Sequence, residues 1–333
     1  MTKHWLAAAF GAAALVGGAL SAHADDAIRI GYQTTIDPAK VAQADGLYDK
    51  AFGKAATWSK FDSGADVIAA IAGNSIDIGF VGSSPLAVAA SNKVPIETFL
   101  IADQIGDAEA LVVRNGSGID KPEDLVGKTI AVPFVSTTHY SLLAALKHWN
   151  IDPAKVKIIN SPPPEIPAAW QRGDIDAAYV WDPALGAIKT TGKVLVSSKT
   201  VGQWGSPTFD AWIVRKDFAD KHPDVVAAFA RVTGAAYASY LKDPQAWLAD
   251  KSNVDKVAQL TGAKPEDVPV VLSGYTFPTL SDQVSPDLLG GGTVKAIVAT
   301  SAFLREQGKI SDVLADYSPY VTPDFAKQAA ATN

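Results

Sequence analysis

Short apolar runs alternate with amphipathic ones along most of this 333-residue chain. Residues 27–33, 58–62, 76–81, 96–103 and 109–114 are short, apolar and rich in β-branched side chains, which predicts buried strands. Between them, residues 38–52, 63–72 and 85–91 predict helices. Val67, Ile68 and Ile71 share one helical face, and Gly73 ends that helix. The alternation resumes with strands at 128–132, 156–159, 175–181, 193–196 and 209–215, and helices at 137–149, 165–172 and 183–190. From Asp217 onward the pattern is mostly helical. Alternation of this kind predicts an α/β fold of mostly parallel sheets covered on both faces.

Residues 73–81 leading to Pro85 are echoed by 173–180 leading to Pro183. The echo fits two similar lobes, and equally the likeness of any two strand–helix units. In either arrangement a ligand of an open α/β sheet binds at the carboxyl ends of the strands. Those ends are Gln33 to Thr35, Gly82 to Ser84, Pro133 to His139, and Trp181-Asp182.

Two of these ends place small hydroxyl residues between a strand and a helix: Ser83-Ser84 before Pro85, and Ser136-Thr137-Thr138-His139. Helix N-termini leave backbone N–H groups unpaired and carry the positive end of the helix dipole, so they attract oxyanions. Ser and Thr also cap helices with no ligand present. Two such openings make an anion site only if the fold brings them together.

The start of the chain changes the picture. Lys3 precedes an apolar stretch from Leu6 to Leu20, and Ser21-Ala22-His23-Ala24 follows. This predicts a secretory signal peptide over residues 1–24, cut after Ala24, and a periplasmic mature protein. Its charge would be −7, from 28 basic residues (29 less Lys3) and 35 acidic ones. No basic run exists, so nucleic acid is not an expected partner. The absence of cysteine excludes disulfides, thiolate catalysis and a lipidated cysteine anchor. Five histidines show no metal-ligand spacing, and no Gly-x-Ser-x-Gly elbow occurs. The expectation is therefore no enzyme, no catalytic residue, no metal and no cofactor.

Longer blocks carry a resemblance. Gly31-Tyr32-Gln33-Thr34, the run from Val81 to Ala90, Glu109-Ala110-Leu111-Val112-Val113, the run from Ser136 to Trp149, the run from Ala169 to Asp176, and Val201-Gly202-Gln203-Trp204-Gly205 resemble the periplasmic solute-binding proteins of ABC importers for taurine, sulfonates and nitrate. The resemblance spans about Ile28 to Val321. It implies a two-lobed periplasmic binding protein fold of type II, with the ligand in the interlobe cleft. Lobe 1 would hold residues 25–114 and 212–333, and lobe 2 residues 115–211. It also implies a monomer that hands its guest to a membrane permease.

Taurine, 2-aminoethanesulfonate, is the guest implied; an alkanesulfonate, nitrate or bicarbonate is the alternative. A sulfonate stays charged, so it needs preorganised donors. The resemblance assigns Ser83, Ser84, Thr137, Thr138 and His139 to that end, with Gln33 as a further donor. Glu109 and Asp210 are the candidates for the ammonium, because each is an acid flanked by apolar strand residues. Arg114, Arg172 or Arg215 would be the alternative partners of those acids. Trp181 and Trp204 are candidates to close over the guest or face its ammonium. Asp182 lies beside the predicted cleft but is left unassigned.

Overall fold

The computed structural model describes residues 27–332; the predicted signal peptide and its cleavage site lie outside the described residues. Among the described residues, eleven strands form two sheets. They are β1 (Ile28–Tyr32), β2 (Ala56–Lys60), β3 (Ile78–Gly82), β4 (Ile96–Ile105), β5 (Glu109–Arg114), β6 (Thr129–Val132), β7 (Lys157–Asn160), β8 (Ala177–Trp181), β9 (Gly192–Ser197), β10 (Thr208–Arg215) and β11 (Tyr275–Thr276). The first sheet has the order β11-β4-β10-β3-β1-β2, the second β7-β6-β8-β5-β9. Each belongs to one lobe.

Period-2 patterning explains why both faces of the second sheet are covered. On β5, Leu111 and Val113 pack with Ile130, Leu142, Leu146 and Tyr179 on one face. Ala110 and Val112 pack with Ile166, Trp170 and Leu185 on the other. A strand apolar at every position is stable only between two layers. In lobe 1, Trp212 of β10 sits against Trp58, Phe80 and Phe229 in edge-on contacts. Most tryptophans are structural for this reason.

Both sheets are mixed rather than mostly parallel in their pairing. β1 pairs in parallel with β2 and β3, and β6 with β7 and β8. β10 lies antiparallel between β3 and β4, and β5 antiparallel between β8 and β9. These two reversed strands are the ones by which the chain enters each lobe. Their direction has a consequence for function: the first residues of β5 and β10 lie beside the carboxyl ends of their parallel neighbours, at the cleft.

The crossover points therefore differ from the boundaries 114/115 and 211/212 expected from sequence. All of β5 belongs to lobe 2 and all of β10 to lobe 1. The chain crosses at 106–108 and returns at 204–207, earlier than expected by the whole of β5 and by half of β10. Both strands are uniformly apolar, so nothing in their composition says which sheet supplies their hydrogen bonds. The first crossing is pinned: Gly106 N–H donates to the Gly274 carbonyl at 3.0 Å, and Lys199 N–H donates to the Gly106 carbonyl at 3.1 Å. A Cβ on Gly106 would lie 2.6 Å from that Gly274 oxygen, so only glycine permits the approach. β11, missed in the helical C-terminal pattern because it is two residues long, pairs with β4 and brings Tyr275 to the cleft.

Candidate functional site

The cleft between the sheets holds a buried cavity of about 20 Å³ lined by residues of both lobes. From lobe 1 come Gln33, Thr35, Gly64, Gly82, Pro85, Asp210 and Tyr275; from lobe 2, Glu109, Ser136, Thr137 and Trp181.

The two hydroxyl-rich helix openings converge here. The helix Ser83–Ser91 starts directly from β3, and the helix Thr137–His148 starts beyond β6. A Cβ placed on Gly82 would lie 2.6 Å from Thr137 Cγ2. Thus the residue before one helix touches the first residue of the other, across the lobe boundary. First-turn N–H groups have no partner within their own helix, so both sets of donors serve one place.

The second opening is built under strain. Val135 has φ 56°, rare for a β-branched residue. Its neighbours over-determine it. Phe134 N–H donates to Asn160 Oδ1 at 2.8 Å, and Ser136 Oγ donates to the Pro133 carbonyl at 2.5 Å. Ser136 Oγ also accepts from His139 N–H at 3.0 Å, capping the helix. Strain held this way is a feature of binding loops.

Several expected sulfonate ligands act differently. Thr137 lines the cavity, but its hydroxyl donates to Glu109 Oε1 at 2.5 Å. Ser83 and Ser84 are buried behind the lining; Ser83 Oγ accepts from Phe209 N–H at 3.4 Å. Thr138 bonds Ser136 at 2.8 Å. Ser83 and Thr138 thus spend their hydroxyls on bonds within the protein. His139 stacks on Phe134 at 4.7 Å and its Nδ1 accepts from Val135 N–H at 3.4 Å, while its Nε2 is buried with no partner among the described residues. Burial, with Lys309 nearby, pushes its pKa down to about 4. Trp204 leaves the site; it stacks on His148 at 3.8 Å, away from the cavity lining. A Gly-flanked tryptophan gave no signal of which surface it would cover.

Gln33, Trp181, Glu109 and Asp210 do line the cavity. Gln33 donates to the Phe80 carbonyl at 3.0 Å. Trp181 Nε1 is buried and makes no hydrogen bond among the described residues. Neither Arg114 nor Arg215 reaches the cleft acids: Arg114 donates to the Ile175 carbonyl and Arg215 pairs with Asp77 and Asp217. Arg172 pairs with Asp174 at 2.7 Å on the surface.

Glu109 accepts from Thr137 on one oxygen and from Ser198 on the other, at 3.1 Å; Ser198 also bonds Tyr179 at 3.0 Å. Burial pushes its pKa up to about 7, and the two hydroxyl bonds moderate the rise. Asp210 is held well above the usual carboxylate range by burial and by Glu109 and Asp37. Two further acids were missed from the sequence. Asp37 accepts from Ala39 N–H at 2.5 Å and Tyr237 at 3.0 Å. Asp103 pairs directly opposite Asp210 on β4. The test that found Asp210, an acid among apolar strand residues, fits Ile101-Ala102-Asp103 equally well. Asp182, left unassigned, accepts from Gly186 N–H at 3.0 Å, and burial pushes its pKa up to about 6.

Two lobes closing on an anion-friendly, acid-walled cavity define a periplasmic-type solute-binding protein. The chain belongs to the family of substrate-binding domains of ABC-type glycine betaine transport systems, whose profile matches residues 26–260. It is 54% identical over 300 residues to the taurine-binding periplasmic protein of Escherichia coli (strain K12), covering 90% of this chain and 92% of that one. A putative aliphatic sulfonates-binding protein of Bacillus subtilis (strain 168) is 29% identical over 310 residues, covering 91% and 87%. Among solved structures, the alkanesulfonate-binding protein SsuA from Xanthomonas axonopodis pv. citri bound to MOPS superposes with a TM-score of 0.75 at 22% identity, covering 88% and 97%. The desulfurization enzyme DSZB shares the fold at a TM-score of 0.62 and 13% identity; one fold hosts both binding and catalysis.

Proposed function

We propose that this protein captures taurine in the periplasm and delivers it to an ABC importer by cleft closure. The observation that carries the reading is the pairing of opposite chemistries in one small cavity. The converging helix starts and the Trp181 indole N–H suit a sulfonate. Glu109 and Asp210 suit an ammonium two carbons away. An anion with no positive end leaves Asp210 without a cation and Glu109 with hydroxyl partners alone, which is costly for buried charges. A quaternary ammonium cannot donate hydrogen bonds and is held by aromatic cages; carboxylates at the cation end favour a primary amine.

In this reading residues 1–24 are removed on export, the mature protein is a monomer, and a membrane permease receives the guest. The likeness to a taurine-binding relative over nine-tenths of both chains supports it. Among the described residues no helix is long and apolar enough to cross a membrane, and no group of metal-ligating side chains occurs.

Calorimetric titration of the mature protein with taurine, ethanesulfonate, β-alanine and sulfate tests the assignment. Taurine should bind tightest. No taurine binding at millimolar concentration, or equal affinity for ethanesulfonate, would reject it.

A further inference from the structure

The helix Gly292–Glu306 touches both helices that open on the cavity. In lobe 1 it packs along the Ser83 helix. There the buried side chains of Ser91 and Ser301 share a hydrogen bond at 3.3 Å, and Ile297 and Leu304 join the core built on β1, β3 and β10. Its last turn then crosses the lobe boundary. Phe303 packs against the cores of both lobes. Its ring meets Tyr140 edge-on, with centroids 4.9 Å apart. The contact is reciprocal: Tyr140 belongs to the lobe 2 helix Thr137–His148, yet it is buried in the lobe 1 core.

Two further contacts extend this seam. Lys147 Nζ lies 2.8 Å from each carboxylate oxygen of Glu306. Lys309, just past the helix, stands over the Phe134 ring at 5.8 Å, and Phe134 stacks on His139. Phe134 precedes the strained Val135, and Tyr140 lies in the first helical turn, where its N–H donates to the Ser136 carbonyl at 3.1 Å. The seam thus holds the second opening at residues before and after its donors, while the same helix is fixed to the first opening. Neither Tyr140 nor Phe303 lines the cavity. Their effect on a guest passes through where the two openings stand.

A sulfonate and a carboxylate ask different things of those openings. A carboxylate has two oxygens in one plane, which the N–H groups of a single helix start can serve. A sulfonate spreads three oxygens about a tetrahedral sulfur. The third leaves any plane through the other two and draws on the second helix start. Serving all three at once needs both starts fixed in advance. Resting on the taurine reading above, we propose that the Tyr140–Phe303 seam sets the preference for a sulfonate over a carboxylate by holding the two helix starts in register. Tyr140 and Phe303 are positioning residues. The Lys147–Glu306 pair supports them, and contributes less because it is exposed.

Calorimetric titration with taurine and β-alanine isolates the anion end, because the two guests share their amine and two-carbon link. The wild type should prefer taurine. Phe303→Ala should cut that preference by about three- to tenfold, the range of one aromatic pair, chiefly by weakening taurine. Phe303→Tyr keeps the ring and should keep the preference. Glu306→Lys leaves the core intact and should cut the preference by about two- to threefold. Adding Lys147→Glu should restore it, since the pair re-forms with its charges exchanged. Lower thermal stability with an unchanged ratio, or equal weakening of both guests, would overturn the proposal and leave the taurine reading intact. If Phe303→Ala does not fold, the charge exchange decides alone: a ratio untouched by Glu306→Lys overturns the proposal. A wild type that binds taurine and β-alanine equally would also overturn it. A wild type that binds no taurine would sink the functional reading and this inference with it.

Discussion

The two lobes meet the cleft with the same device and opposite degrees of completion. Each uses the first residues of a reversed strand to bring a carboxylate beside a helix start: Glu109 on β5 and Asp210 on β10. Around Glu109 the hydrogen bonds are complete, through Thr137, Ser198 and Tyr179. Around Asp103 they are not: neither of its carboxyl oxygens has a partner among the described residues. The helix starts differ likewise. Ser136 caps the lobe 2 helix with its side chain, whereas the lobe 1 helix begins at Gly82 with no side-chain cap. Lobe 2 is a finished arm that fixes direction. Lobe 1 carries the electrostatic deficit that a guest cation relieves, so most of the selectivity should lie there.

The largest expected effect follows from that asymmetry. Asp210→Asn should weaken taurine at least about thirtyfold, the lower end for losing one partner of a buried charge pair. It should change ethanesulfonate by less than about threefold. Titration of both guests checks it, and equal losses would break the comparison. Gly82→Ala comes next. Its new Cβ meets the Thr137 methyl at 2.6 Å, so the lobes cannot seat, and overpacking of this kind costs about 1–3 kcal/mol. Every guest should weaken by about ten- to a hundredfold with little change in their ratio, separating closure from recognition.

The pH profile sharpens the contrast. Glu109 is raised from its ordinary 4.5 to about 7 in the closed site. The closed state therefore favours a proton, and its stability falls as pH rises through that window and levels off above it. A guest ammonium replaces that proton. The preference for taurine over ethanesulfonate should grow by up to about tenfold per pH unit between those values, measured by titration at several pH values. Ser198→Ala, which leaves Glu109 Oε2 and the Tyr179 hydroxyl short of a partner, should cost taurine about tenfold or less. At the small end, Trp204→Ala should leave affinity within about twofold. It should lower thermal stability through the lost stacking on His148.

Much of this site was legible because strand–turn–helix junctions announce themselves. Small hydroxyl residues after an apolar run located both helix starts, and acids inside apolar runs located Glu109 and Asp210. What the pattern does not encode is hydrogen-bond partnership between distant segments. β5 and β10 read as strands, yet their sheet membership depends on neighbours over sixty residues away, as with Glu109 opposite Trp181. The same limit hid the stacking of His139 on Phe134 and of Trp204 on His148. Tyr275 was hidden because two residues of strand leave no periodicity to read.

A crystal structure of the mature protein with taurine bound tests the central claim most directly. The account predicts the amine nitrogen within hydrogen-bond reach of both Asp210 and Glu109, and the sulfonate at the N–H groups that open the Ser83 and Thr137 helices. A guest lying the other way round, or one whose nitrogen contacts neither acid, would contradict it.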